Sequence, residues 1–286
     1  MPKVGFAGLG IMGQPMARRL LAAGFPLTVF DISPARADPL IAAGASGASS
    51  APELAAQSDV FITMLPDTPD VESVLFGEKG AWLGLKPGSI VIDMSTISPS
   101  ATVKFAARLA EKGCEMLDAP VSGGQPGAVA GTLSIMVGGK KEVFDQCLPI
   151  LQAMGKTINF FGPHGNGQKT KAVNQLVGSL NVLAMAEGVR LARAAGLDLD
   201  ATVRTVAGGA AGSWMVANLG PKVIAGDFAP GFAIKLHHKD LRLVHELAAE
   251  LGGEYPGLEL TYSLFTAAVE KGLGGQGNQG LINLWK

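Results

Sequence analysis

The sequence predicts an α/β domain with a mostly parallel, doubly wound sheet over residues 1–163, followed by an all-α domain over residues 164–286. Three observations predict this organisation. Short apolar runs alternate with helical stretches through the first half of the chain, a pattern typical of parallel sheets with helices on both faces. A long helical pattern follows Gly162-Pro163, and the chain beyond it shows no clear strand. The length of 286 residues also suits two domains of about 150 residues each.

The elements of the first domain can be assigned from their periodicity. The apolar runs predict strands over 3–7, 27–30, 59–65, 89–93, 115–118, 134–137 and 157–161. Helical spacing predicts helices over 12–23, 34–43, 51–57, 69–76, 98–112 and near 140–153.

A long helix is expected between the domains. From about residue 168 the chain runs without proline and keeps apolar residues such as Val173 and Leu176 at helical spacing. Polar residues, among them Lys171 and Glu187, make this segment too polar to span a membrane. We therefore expect an interdomain helix over about 164–195 that leads into the all-α domain.

A glycine turn, Gly8-Leu9-Gly10-Ile11-Met12-Gly13, lies between the first predicted strand and the first predicted helix. In a turn of this spacing, the first glycine permits the bend and the second lets the backbone approach a pyrophosphate. The third lets helix and strand pack closely. The helix N-terminus then faces the anion. The context predicts a Rossmann-type dinucleotide site, although a purely structural turn is the alternative.

Asp31 follows the second predicted strand, 18 residues after Gly13. This is close to the spacing of about 20 residues expected for the acid that binds the adenosine ribose hydroxyls. A carboxylate there accepts hydrogen bonds from the ribose of NAD and repels the 2′-phosphate of NADP. We therefore expect NAD as the cofactor. Arg36 could approach a 2′-phosphate, so NADP stays possible, and a surface role for Asp31 is the alternative.

Charge and cysteine content exclude several classes of protein. The 23 basic and 24 acidic residues give a net charge of −1, which offers no electrostatic footprint for nucleic acid or an anionic membrane. The two cysteines, Cys114 and Cys147, lie among apolar neighbours. They indicate a reduced, cytoplasmic protein without a metal cluster.

A nicotinamide cofactor indicates hydride transfer, and reduction of a carbonyl also requires a proton donor. Lys171 is the candidate, because Asn174 and Gln175 follow at i+3 and i+4 on the same helix face. Lys169 could compete with it, and a lysine early in a helix is usually a solvated surface residue. The four histidines form no recognisable catalytic pattern.

Ser122-Gly123-Gly124 leaves a predicted strand and turns sharply. Backbone N–H groups and a serine hydroxyl in such a turn can bind a carboxylate. A simple strand-to-helix turn is the alternative.

Together these motifs resemble the β-hydroxyacid dehydrogenase family of 3-hydroxyisobutyrate dehydrogenase and tartronate semialdehyde reductase. The resemblance covers nearly the whole chain in family order. It is carried by the stretches 8–17, 118–124, 136–139, 165–174 and 239–241, together with Gly127 and Gly131-Thr132.

The resemblance implies roles for individual residues. Lys171 would be the catalytic general acid/base, and Ser122, Gly123, Gly124 and Asn174 would bind the substrate. The glycine turn would bind the cofactor together with other residues at matching positions: Leu65, Pro66, Thr96 and Lys239. We expect the active site to lie near Lys171 and the substrate to be a small molecule that bears a carboxylate. We also expect the protein to form a homodimer or homotetramer.

Two departures from the family pattern bear on the identity of the substrate and not on the type of reaction. Gln175 replaces a frequent second asparagine, and Gly277-Asn278-Gln279-Gly280 replaces a frequent Asp-x-Ser segment. We expect both segments to lie where the enzyme senses the shape of the substrate. An imine reductase of the same architecture and a non-catalytic dinucleotide-sensing module are the alternative functions. A sugar-phosphate dehydrogenase is disfavoured, since no basic cluster offers a phosphate site.

Overall fold

The computed structural model describes residues 1–285 and divides into two compact units, Met1–Lys171 and Ala172–Lys286. Each unit is described by itself. The predicted division of the chain between residues 163 and 164 stays a prediction.

The first unit contains one sheet of nine strands. The strands are β1 Val4–Ala7, β2 Leu27–Phe30, β3 Ser46–Gly47, β4 Val60–Thr63, β5 Ile90–Asp93, β6 Glu115–Asp118, β7 Val121–Ser122, β8 Leu133–Gly139 and β9 Gly155–Phe160. Their order is β3-β2-β1-β4-β5-β6-β8-β7, and β9 pairs with β8. From β3 to β6 all pairs are parallel, whereas β8 runs antiparallel to β6 and β7. The strand order reverses between β1 and β4, the place where dinucleotides bind in doubly wound sheets.

Twelve α-helices complete the part of the chain from 1 to 285. They are α1 Gly13–Ala22, α2 Asp38–Ile41, α3 Ala51–Ala56, α4 Thr68–Phe76, α5 Pro99–Glu111, α6 Gly124–Ala130, α7 Lys141–Gln152, α8 Asn166–Ala194, α9 Leu199–Gly208, α10 Trp214–Ala225, α11 Ile234–Leu251 and α12 Pro256–Glu270. Four 3₁₀ segments occupy Pro34–Arg36, Ala81–Leu83, Leu273–Gly275 and Asn278–Trp285.

The predicted fold class is confirmed: a Rossmann domain precedes an all-helical region that the long helix α8 enters. One predicted helix, over 34–43, is wrong in detail. It consists of a 3₁₀ turn, Pro34–Arg36, and the four-residue helix α2, which has Pro39 in its first turn. Each proline lacks a backbone N–H donor, so each suits the start of a helix and not its interior.

Helices cover both faces of the sheet, as the alternation of buried side chains along the strands requires. Phe6 and Ile62 belong to one apolar cluster, whereas Phe61 and Val91 belong to another. The four side chains have no accessible surface. This double burial explains why the strands are continuous apolar runs in the sequence.

The second unit is entirely helical and has its own core. Fully buried side chains from α8, α11 and α12, such as Val182, Leu241 and Phe265, pack in one cluster. Asp198 caps α9 by accepting a hydrogen bond from the backbone N–H of Ala201, and Ser213 caps α10 in the same way. Across residues 1–285, no helix combines the length and apolar character needed to cross a membrane.

Candidate active site

The glycine turn after β1 is held by contacts between backbone atoms. Gly8 has a φ of +96°, which side-chain-bearing residues rarely adopt. A Cβ on Gly8 would lie 2.3 Å from the carbonyl oxygen of Met64, and one on Gly13 would lie 1.8 Å from the carbonyl oxygen of Gly8. A Cβ on Gly10 would meet no atom within 4 Å. The turn therefore packs tightly at its two ends and faces open space at its middle glycine.

The N-terminus of α1 suits an anion. Met12 at the N-cap makes no side-chain capping hydrogen bond, and the first turn holds no acidic residue. The first N–H groups of a helix need acceptors, and the helix dipole favours a negative charge there. With the open side of Gly10, these residues fit a dinucleotide pyrophosphate.

Asp31, at the end of β2, is buried and bonded to the glycine turn. One carboxylate oxygen, Oδ2, accepts a hydrogen bond from the backbone N–H of Leu9 at 2.7 Å. The other, Oδ1, accepts from the N–H of Ser33 at 2.8 Å, and the Arg36 guanidinium lies 3.5 Å away. Asp31 therefore stabilises the turn, and Arg36 lies within reach of any group bound beside Asp31.

A second loop cluster lies at the carboxyl ends of β4 and β5. Ser95 Oγ accepts the backbone N–H of Leu65 at 2.9 Å, and the N–H of Ser95 donates to Asp93 Oδ1 at 3.1 Å. Thr63 donates to the same Asp93 oxygen at 2.8 Å. These bonds fix the loops that contain Leu65, Pro66 and Thr96, three of the residues expected to contact the cofactor.

Gln168, near the start of α8, is 2% exposed and brackets Thr96. Its Nε2 donates to the carbonyl oxygen of Ser95 at 2.8 Å, and its Oε1 accepts the N–H of Ile97 at 3.2 Å. The two backbone groups stand on either side of Thr96. Gln168 was not predicted as a site residue, because its only signal in the sequence is its place three residues before Lys171.

Asp118, at the end of β6, holds the first turn of α8. Its Oδ1 accepts the N–H of Gly165 at 2.9 Å, and its Oδ2 accepts the N–H of Gln168 at 3.0 Å. Burial raises the pKa of Asp118, and the two backbone hydrogen bonds oppose the shift. A carboxylate at a helix N-terminus also interacts favourably with the helix dipole. In the sequence, Asp118 only begins the stretch 118–124 that carries the family resemblance, so its role at the start of α8 was not predicted.

Lys171 is buried in α8, with 6% of its surface exposed, whereas Lys169 is exposed. A lysine is rarely buried without a specific partner or role. Lys169 lies on the exposed side of the helix, as is typical of a solvated surface lysine.

The Ser122-Gly123-Gly124 segment forms a sharp turn between β7 and α6. Ser122 is half-buried and pairs with Ser134 of β8. Gly123 has a φ of +134° and Gly124 a φ of +59°, conformations that favour glycine. The segment therefore places a serine hydroxyl next to two residues whose backbone conformations only glycine adopts readily.

In the second unit, four side chains form a hydrogen-bonded series. Asn174 donates from Nδ2 to Gln175 Oε1 at 2.8 Å, and Gln175 donates from Nε2 to Asp240 Oδ2 at 2.5 Å. Lys239 Nζ lies 2.6 Å from Asp240 Oδ1. The structure thus connects two predicted site residues, Asn174 and Lys239, through two others whose roles the sequence did not reveal.

The histidines have structural partners. His164 Nε2 lies 3.0 Å from the carbonyl oxygen of Met116, and His238 Nε2 lies 3.0 Å from Thr266 Oγ1. His237 is buried in α11 and packs edge-on against Phe265. Over residues 1–285, no group of His, Cys, Asp or Glu is arranged to hold a metal ion.

Two family models match the chain in sequence. Residues 3–162 match the NAD-binding domain of 6-phosphogluconate dehydrogenase. Residues 165–285 match a domain described as NAD-binding of NADP-dependent 3-hydroxyisobutyrate dehydrogenase. Together with the glycine turn and its open middle, these matches assign NAD(P) as the cofactor.

Individual relatives agree with these models. The chain is 43% identical to 2-hydroxy-3-oxopropionate reductase of Escherichia coli K12 over 94% of this chain and 92% of that protein. It is 39% identical to 2-(hydroxymethyl)glutarate dehydrogenase of Eubacterium barkeri over 99% and 95% of the two chains. A crystal structure of 3-hydroxyisobutyrate dehydrogenase from Salmonella typhimurium superposes with a TM-score of 0.91 at 34% identity, covering 99% of each chain. The chain belongs to the β-hydroxyacid dehydrogenase family and is an NAD(P)-dependent oxidoreductase.

Proposed function

We propose that this protein catalyses reversible hydride transfer between NAD(P)(H) and a short 3-hydroxy acid or its semialdehyde, of the tartronate semialdehyde or 3-hydroxyisobutyrate type. The observation that carries the proposal is the buried Lys171 in a helix whose first turn is anchored by Asp118. When bound, the nicotinamide supplies or accepts the hydride.

Lys171 acts as the general acid/base in this proposal. In the reductive direction its ammonium donates a proton to the oxygen of the substrate carbonyl, and in the oxidative direction its amine removes the proton from the hydroxyl. The hydrogen bonds that Asp118 accepts from Gly165, just before α8, and from Gln168, in its first turn, hold the start of this helix in place. That support matters because proton transfer requires the donor within hydrogen-bond reach of the reacting oxygen.

The substrate carboxylate binds to the Ser122 hydroxyl and the backbone N–H groups of Gly123 and Gly124, and Asn174 helps to hold the substrate. The half-buried Ser122 and the left-handed glycines support this assignment. Backbone N–H groups suit a carboxylate because they donate hydrogen bonds to it and carry no net charge of their own.

The cofactor is held by the glycine turn from Gly8 to Gly13, with Leu9, Gly10, Ile11 and Met12 between them, and by Asp31. Leu65, Pro66, Thr96 and Lys239 complete its contacts. The buried Asp31 carboxylate supports a preference for NAD, although the matching model of the second half is described as NADP-dependent.

The names of two relatives support the substrate class. One is a reductase of 2-hydroxy-3-oxopropionate and the other a dehydrogenase of 2-(hydroxymethyl)glutarate. Both compounds carry a carboxylate two carbons from the oxygen that would be oxidised or reduced. The shared chemistry is the carboxylate and the terminal alcohol or aldehyde, which a site with Ser122 and Lys171 can distinguish.

Replacement of Lys171 tests the reaction, with Lys169→Ala as a matched control from the exposed face of the same helix. Lys171→Ala is expected to lower kcat by about 10² or more while the Kd of NADH stays within about twofold. Lys169→Ala is expected to keep wild-type kinetics. Turnover of tartronate semialdehyde by Lys171→Ala at the wild-type rate would refute the mechanism. Preferred reduction of a cyclic imine by the wild-type protein would favour the imine reductase alternative.

We also infer that the chain forms a homodimer or homotetramer in the cytoplasm. Apolar side chains on α8 support self-association: Val173 is 63% exposed, Val177 52% and Leu191 72%, which is a surface typical of association. Light scattering on the purified protein measures the assembly directly, and a monomer at micromolar concentration would contradict the inference.

A further inference from the structure

The series from Asn174 to Lys239 has one chemically defined direction. An ionised carboxylate only accepts hydrogen bonds, so the Gln175 amide must turn its nitrogen toward Asp240. The carbonyl oxygen of Gln175 then faces Asn174, so the side-chain nitrogen of Asn174 must donate the hydrogen bond between them. The contacts in the structure have this polarity: Asn174 Nδ2 donates to Gln175 Oε1, and Gln175 Nε2 donates to Asp240 Oδ2. The charge of Asp240, paired with Lys239 at 2.6 Å, therefore sets the orientation of Asn174.

Gln175 has little opportunity to meet a ligand itself. It is 5% exposed, and both ends of its amide are bonded to protein side chains. Asp240 is 4% exposed and holds Gln175 and Lys239 on its two oxygens. Asn174 is half-buried, and with its nitrogen committed to Gln175 its Oδ1 is the atom turned away from the series.

We propose that Gln175 and Asp240 are positioning residues that hold Asn174 with its carbonyl oxygen toward the substrate, and that the enzyme thereby selects substrates with a hydrogen-bond donor on C2. This inference rests on the proposed function, in which Asn174 holds the substrate. A hydroxyl or an ammonium group on C2 donates to Asn174 Oδ1. A methyl group or hydrogen there leaves that oxygen without a partner, which a polar site discriminates against.

The inference predicts a ranking among four short 3-hydroxy acids that differ only at C2. Glycerate has a hydroxyl there, serine an ammonium, 3-hydroxyisobutyrate a methyl group and 3-hydroxypropionate a hydrogen. The ratio of kcat/KM for glycerate to kcat/KM for 3-hydroxyisobutyrate is the decisive quantity, because it does not depend on the fraction of folded enzyme. In the wild type we expect a ratio of about 10 or more.

Three variants test the role of the series. Gln175→Leu removes both hydrogen bonds, and Asp240→Asn removes the charge that sets their direction, so each is expected to lower the ratio about 10-fold. The double variant Gln175→Glu with Asp240→Asn exchanges amide and carboxylate. The new carboxylate accepts from both asparagine side chains, so Asn174 keeps its orientation and the ratio should return to within about threefold of wild type.

Thr261→Val is the matched control, because it removes a buried hydrogen bond with Ser179 elsewhere in the second unit. It is expected to lower Tm without changing the ratio. A wild-type ratio near 1, or a Gln175→Leu ratio equal to wild type, would overturn the inference while leaving the proposed reaction intact. Absence of turnover with all four acids and both cofactors would overturn the proposed function and this inference together.

Discussion

The Asp118 carboxylate accepts the backbone N–H of Gln168 at 3.0 Å, which joins the end of β6 to the first turn of α8. Its other oxygen accepts the N–H of Gly165 at 2.9 Å. Neither Gly138 nor Gly167 could carry a side chain here, since a Cβ on either would lie less than 3 Å from an Asp118 oxygen. The position of Lys171, three residues beyond Gln168, thus depends on a buried carboxylate supplied by the sheet.

Asp118→Asn should impair both stability and catalysis. The amide keeps one acceptor but turns an NH₂ group toward a backbone N–H, which costs about 1–3 kcal/mol. We expect Tm to fall by several degrees and kcat to fall about 10-fold, as the start of α8 loosens. Asp145→Asn, on the exposed Lys141 pair of α7, should change neither quantity. Thermal unfolding and steady-state kinetics of the two variants decide the matter; equal Tm values would contradict the anchoring role.

Gln168→Leu should act on the loop around Thr96. Leucine fills a similar volume but cannot bond the Ser95 carbonyl or the Ile97 N–H, so two buried backbone groups lose their partners. We expect the KM for the cofactor to rise and kcat to fall, each by about 10-fold. Gln152→Leu, at an exposed position of α7, controls for added apolar surface. Unchanged cofactor KM in Gln168→Leu would show that Thr96 is positioned by other contacts.

Asp31 should determine the choice between the two nicotinamide cofactors. We expect a higher kcat/KM with NADH than with NADPH, because the buried carboxylate repels a 2′-phosphate. Asp31→Asn removes that charge and should raise the NADPH-to-NADH ratio by about 10-fold or more. Adding Arg36→Ala should reverse this gain, since the guanidinium beside residue 31 is the nearby cation. A wild-type preference for NADPH would contradict the role assigned to Asp31.

Asp93 should give the protein a specific pH dependence of stability. Burial raises the pKa of Asp93 from 3.8 to about 6, with a further contribution from Asp118. The folded state therefore binds a proton that the unfolded state has already lost, so this stabilising contribution is present below about pH 4 and is lost as pH rises through about 6. The full difference corresponds to about 3 kcal/mol.

Urea unfolding of the wild type and Asp93→Asn from pH 4 to 7.5 isolates this contribution. The amide does not titrate, so the wild type should lose stability relative to the variant as pH rises across that window. Carboxylates that do not interact with Asp93 titrate equally in both proteins and cancel in the difference. A difference that stays constant with pH would show that Asp93 titrates alike in the folded and unfolded chains.

The sequence predicted the elements and residues whose signal is local. The Gly8–Gly13 turn and Asp31 follow from spacing along adjacent segments, and β1, β2, β4, β5 and β6 follow from buried apolar runs. The strands β3 and β7 were not predicted, because each has only two residues and a segment of that length shows no periodicity. The antiparallel pairing of β8 with β6 was also not predicted, because periodicity does not report strand direction.

The supporting roles of Gln168 and Gln175 were not predicted, because their hydrogen-bond partners are distant in the sequence. Gln168 bonds residues more than 70 positions earlier, and Gln175 bonds Asp240, 65 positions later. Gln175 was expected where the substrate is sensed, yet the structure buries it behind Asn174. The departure of Gln175 from the family pattern therefore acts on the site through the orientation of Asn174. Spacing along the sequence does not reveal a dependence of this kind. The roles of Lys171, Ser122 and Asn174 stay predictions until the kinetics are measured.

The contact of Gly13 with the Gly8 carbonyl has a consequence for the evolution of the cofactor site. Because the turn is shaped by main-chain atoms, the side chain of Ile11, which is 46% exposed, carries little of its geometry, whereas Leu9 is 2% exposed and belongs to the core. Position 11 is therefore open to substitution, whereas a Cβ at Gly8 or Gly13 would collide with a carbonyl oxygen and displace the backbone around it. Evolution can therefore vary the exposed middle of the turn while its two outer glycines stay fixed.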